Sequence, residues 1–116
     1  MTVEAFAQTK LDLLRRRLDY QVRRARKLSD ARSVHDLRVA IRRYGQGLKL
    51  FRELLPDQET KKSRRRLRKI LKAAGAVRNL DIALDLMREA RCRDEGLRRR
   101  LMNQRREARK ALKCLA

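Results

Sequence analysis

The sequence predicts an all-α protein, an antiparallel bundle of four to five helices, on three observations. Apolar residues recur at spacings of three and four along most of the chain, the period of a helix with one buried side. There are one proline and four glycines in 116 residues, so little punctuates the helices. Arg, Leu, Ala, Lys and Glu are abundant, and all favour helix over strand. A chain of this length makes one domain, 1–116, or half of a larger symmetric one.

A first helix is expected over residues 3–29, with Val3, Phe6, Leu14, Leu18, Val22, Ala25 and Leu28 on its inner side. Asp12 precedes Arg16 and Asp19 precedes Arg23 at i,i+4, which reads as a solvated face. Asp30-Ala31-Arg32 is the expected connection. Ser33 then stands as an N-cap with Asp36 three residues on, which places His35 in the first turn of a second helix. Val34, Leu37, Ile41, Tyr44, Leu48, Phe51 and Leu55 form its main apolar stripe, while Val39 and Leu50 form a weaker one. Gly45 and Gly47 suit close approach of a helix or a ligand. Leu55-Pro56 ends the helix, because the residue before proline avoids α conformation.

Asp57 is a candidate cap for a third helix, whose stripe is Leu67, Ile70, Leu71 and Ala74 and whose stop is Gly75. Asn79 or its neighbour would cap a fourth helix running to about Arg91, with Arg78 in reach of Asp81. The pattern weakens around Arg93-Asp94-Glu95-Gly96. A last helix covers 97–115, and Glu89/Arg93, Asp94/Arg98 and Glu95/Arg99 are again i,i+4 pairs.

Charge is the strongest functional signal. Lys and Arg number 34 against 14 Asp and Glu, a formal net charge of +20. A charge of this size opposes compaction and calls for a polyanionic partner. It is not spread evenly. One side of the second helix carries His35, Arg38, Arg42, Gln46 and Lys49 in a row, with no acid between Asp36 and Glu53. From Thr60 to Leu80 there are nine Lys and Arg and no acid at all, with Arg65, Arg68 and Lys72 aligned on one side. The other helices interleave their cations with Asp and Glu, so these two are the expected site.

The segment Val34-His35-Asp36-Leu37-Arg38-Val39-Ala40-Ile41-Arg42-Arg43, with the later Gly75-Ala76-Val77-Arg78-Asn79-Leu80-Asp81, resembles the CHAD family, the conserved histidine α-helical domain. The likeness is close over residues 33–82. It implies a helical bundle whose basic channel binds inorganic polyphosphate without catalysis. By motif position it points to His35, Arg38, Arg42, Arg43 and Lys49, and to Arg68, Lys72 and Arg78. Gly45 stands where the family often has a further Arg, and Asn79 where it has an acid. Members usually carry two such halves in one chain, so this single half implies a homodimer that regenerates the pair.

The residues themselves exclude little outright but rank the alternatives. Aromatics make up 3% of the chain, which serves base stacking poorly, so nucleic acid is expected only as a duplex-backbone alternative. Acids are scattered and there is one histidine, which disfavours phosphotransfer and leaves no usual metal set with Cys92 and Cys114. No cofactor and no metal are expected. A basic partner of an acidic protein is a further possibility. No run of 18 apolar residues offers a membrane span, and the expected setting is the cytoplasm, in contact with polyphosphate granules, with both cysteines reduced.

Overall fold

The two hairpins of the protein are built from four helices. The computed structural model describes residues 2–115, and among them there is no strand. α1 spans Val3–Leu28, α2 Ala31–Leu50, α3 Asp57–Glu89 and α4 Glu95–Leu115, with a 3₁₀ turn at Arg52–Leu54. Short connections make sequence neighbours antiparallel. α1 lies along α2, α3 lies along α4, and α2 packs on α3 to join the pairs. α1 touches α4 only thinly. The result is elongated, 60 × 23 × 22 Å.

The first corner is tighter than the sequence suggests. α1 begins at Thr2, whose hydroxyl accepts from the Ala5 N–H at 3.0 Å. It ends at Ser29, which takes a left-handed conformation (φ 50°). Both the N–H and the hydroxyl of Ser29 donate to the Ala25 carbonyl, at 2.9 and 2.6 Å. Asp30 then caps α2, its carboxylate accepting from the Ser33 N–H at 2.8 Å. The expected N-cap at Ser33 is therefore corrected by one turn. Aspartate satisfies the free donors as well as serine does, and Ser33 is buried, its hydroxyl donating to the Asp30 carbonyl. His35 consequently stands in the second turn of α2, beyond the strongest field of the helix terminus.

α2 ends at Leu50 instead of continuing to Leu55, and Phe51 and Leu55 still pack against the core from the turn that follows. Gly47 allows α1 to come close: a Cβ there would lie 2.9 Å from Leu14 Cδ1 and 3.2 Å from Leu11 Cδ2. Pro56, not Asp57, is the N-cap residue of α3.

The largest correction is α3. It runs unbroken for 33 residues through Gly75, where the sequence suggested a stop and a new helix. Glycine in a helix costs only about 1 kcal/mol relative to alanine. Ala74 and Val77 on either side are completely buried, and that packing outweighs the glycine. Four helices form among the described residues, and Asn79 lies inside α3 and caps nothing.

At α4, Asp94 accepts from the Leu97 N–H at 3.0 Å, so this aspartate caps the helix and does not pair with Arg98. The core collects Leu11, Leu18 and Ala25 from α1, Val34, Leu37, Ile41 and Leu48 from α2, and Leu67, Ile70, Ala74 and Val77 from α3. α4 adds Leu112. Several expected inner residues are exposed instead: Val3 by 64%, and Phe6 and Leu28 by somewhat less. On α3, Leu86 and Ile82 are exposed as well, by 58% and 43%. Leu50, from the weaker stripe of α2, is 75% exposed.

Candidate functional site

Because α2 and α3 pack side by side, their cationic sides meet along one groove. Its floor is apolar, formed by Ile41, Leu67 and Leu71 with Gly45. Its rims are Arg42, Gln46 and Lys49 on α2 and Arg64 and Arg68 on α3. The groove has a volume of about 250 Å³, and no carboxylate lines it. Four full positive charges thus face each other over a surface of low polarity, where Coulombic attraction for an anion is less screened than in open water.

Arg38 extends the row at the N-terminal side of α2. Its Nε is buried and has no hydrogen-bond partner. Burial holds its guanidinium below the ordinary value, and repulsion from Arg42 and Arg78 pushes in the same direction. Arg38 is therefore repelled by an arginine from each of two helices, with no acid offsetting it. An anion placed there relieves the repulsion and supplies the missing acceptor.

Arg78 is free for this role because Asp81 is engaged elsewhere. Arg105 Nε donates to Asp81 at 2.5 Å, and Arg105 Nη2 donates to the Ser29 carbonyl at 2.7 Å. The alternative of an Arg78–Asp81 pair is not what forms. On α2 the other nearby acid, Asp36, accepts from Arg24 at 2.5 Å and sits 3.6 Å from Arg32. Hydrogen bonding to Arg24 is the first cause that holds the Asp36 carboxyl below its ordinary value, with Arg32 and His35 adding to it. Both acids that border the cationic rows are thus neutralised by arginines outside the groove.

The residues expected from sequence are divided among three places. Arg42, Lys49 and Arg68 line the groove, and Arg38 and Arg78 cluster beside it. His35 and Lys72 are exposed, each one helical turn from a member of the rows, His35 from Arg38 and Lys72 from Arg68. Arg43 lies on the other side of α2, in the groove between α1 and α2. Arg65 faces the C-terminal end of α4, near Cys114 and Leu115. Two residues were not anticipated. Arg64 takes the place expected for Arg65, and the i,i+4 spacing with Arg68 could have found it. Arg109 on α4 has a buried Nε without a partner, like Arg38.

Among the described residues, no group of three or more His, Cys, Asp or Glu side chains lies together in the manner of a metal site. No described helix is long and apolar enough to cross a membrane. The family model for the CHAD domain matches residues 9–115. No curated protein and no solved structure matches the chain.

Proposed function

The chain belongs to the CHAD domain family, and on that premise we propose that it binds inorganic polyphosphate, without turning it over, in the groove between α2 and α3. The observation that carries this reading is the Arg38–Arg42–Arg78 cluster, which no acid neutralises and in which the Arg38 Nε lacks an acceptor. Arg42, Lys49, Arg64 and Arg68 would continue the contact along the groove, with His35 and Lys72 at its edges. Arginine forks hold phosphate oxygens two at a time, and helices keep the forks at fixed spacing. Polyphosphate repeats its charge without bases, so a groove lined by cations and one amide, with no aromatic side chain, suits it.

The same lining supports binding without catalysis. A phosphate-cleaving site needs a group to activate water or accept the phosphoryl. The groove offers no carboxylate, and His35 is exposed at its end.

A second copy of the chain would close the open side of the groove. Its support is the apolar side chains left exposed on the two helices of the groove, Leu50 by 75% on α2, and Ile82 and Leu86 on the part of α3 beyond Asp81. The test of the whole reading is competition. Duplex DNA at equal phosphate concentration and moderate salt should fail to displace labelled long-chain polyphosphate. Efficient displacement would favour backbone binding of nucleic acid instead, which net charge alone permits.

A further inference from the structure

A basic concavity outside the polyphosphate groove lies between α1 and α2, on the far side of α2 from the cation row. Its volume is about 480 Å³, within the range that takes a small organic ligand. Leu14 and Val39 give it an apolar floor, and Tyr20 forms one wall. Arg16 and Arg17 lie one turn before Tyr20 on α1, and Arg43 reaches in from α2. None of these three arginines has an ion-pair partner among the described residues. The one acid at the groove, Asp36, is already held by Arg24 and Arg32.

Tyr20 is the second, independent observation. The chain has four aromatic side chains. Phe6 and Phe51 stack edge to face at 6.4 Å, and Tyr44 and Phe51 pack on the core. Tyr20 does neither. It is 57% exposed and lines the same groove as Arg16, Arg17 and Arg43. A flat aromatic face next to clustered cations matches a ligand with a flat ring at one end and phosphates at the other.

We propose that the α1–α2 groove is a separate site for a nucleoside phosphate, its base stacked on Tyr20 and its phosphates held by Arg16, Arg17 and Arg43. This site stands apart from the polyphosphate groove, since Arg43 and Arg42 lie on different sides of α2. It gives the chain two anion sites that differ in whether a base is read.

Calorimetric titration of the full chain with ATP and with inorganic tripolyphosphate, at one ionic strength and without divalent metal, tests it. The two probes carry the same phosphate chain and differ by the nucleoside. ATP should bind the more tightly. Tyr20→Ala should weaken ATP by about tenfold and leave tripolyphosphate unchanged, while Tyr20→Phe keeps the affinity. Arg43→Ala should weaken ATP, and Arg42→Ala should not. The site is overturned if ATP binds no better than tripolyphosphate, if Tyr20→Ala leaves ATP binding intact, or if Arg42→Ala costs ATP as much as Arg43→Ala. All of these side chains are exposed, so the variants should fold, and a circular dichroism melt verifies it. Loss of long-chain polyphosphate binding in Arg38→Ala with ATP affinity unchanged would separate the two sites directly.

Discussion

Arg105 ties three helices with one side chain. From α4 it forks onto Asp81 of α3 and donates to the carbonyl of Ser29 at the end of α1. Arg105 and Asp81 are 20% and 18% exposed, so their separation leaves an unpaired charge and an unsatisfied carbonyl in partly dry surroundings. Arg105→Met should lower the unfolding free energy by about 2 kcal/mol in urea denaturation. Arg105→Lys should not restore it, because an ammonium lacks the planar fork whose separate nitrogens reach Asp81 and the Ser29 carbonyl. The Arg24–Asp36 pair behaves differently because it can be titrated. The Asp36 carboxyl lies below its ordinary 3.8 in the folded protein. A depressed carboxyl stabilises the fold above its unfolded value and loses that contribution as pH falls through the folded one. Stability should therefore drop as pH goes below about 4, and Asp36→Asn should remove part of that drop in thermal melts at graded pH. None of this pairing is visible in sequence. Arg24 and Asp36 lie twelve residues apart and Arg105 and Asp81 twenty-four, and only the tertiary packing joins them.

Helix existence was legible from periodicity, and helix ends were not. Ser33 and Asp30 are equally good caps, so the corner could not be placed by residue type alone. At Gly75 a local signal for termination competes with burial of Ala74 and Val77, and burial wins because neighbouring helices are already in place. Gly75 and Gly47 separate by environment. A Cβ at Gly75 meets nothing within 4 Å. Gly75→Ala should then raise stability by about 0.5–1 kcal/mol through propensity alone. Gly47→Ala should bring no such gain, because its Cβ presses on Leu14 and on Leu11, which is buried. Paired denaturation curves of the two variants test this reading of α1 against α2. The cationic rows, by contrast, were plain in sequence on α2, where His35, Arg38, Arg42 and Lys49 share one side. On α3 the row was displaced by one residue, Arg64 for Arg65, because four basic residues in five positions fit more than one face.

At the scale of the molecule, a net charge of +20 and an open groove belong together. Self-repulsion among 34 cations opposes any assembly until a polyanion neutralises them. Light scattering with long-chain polyphosphate should accordingly give a protein mass twice the 13.8 kDa of the chain, bridging two copies across the groove. A protein mass of one chain under saturating polyphosphate would remove the second copy from the account and leave the groove itself. The central claim is that a defined groove, and not the field of the whole protein, holds the polyanion. The most direct measurement is the affinity for long-chain polyphosphate over a range of salt, for the parent chain, for Arg38→Ala/Arg42→Ala and for Arg23→Ala/Arg99→Ala, two variants of equal net charge. The groove variant should lose about a hundredfold in affinity and about two phosphate contacts from its salt slope, while the other stays close to the parent. Equal losses in both variants would contradict it.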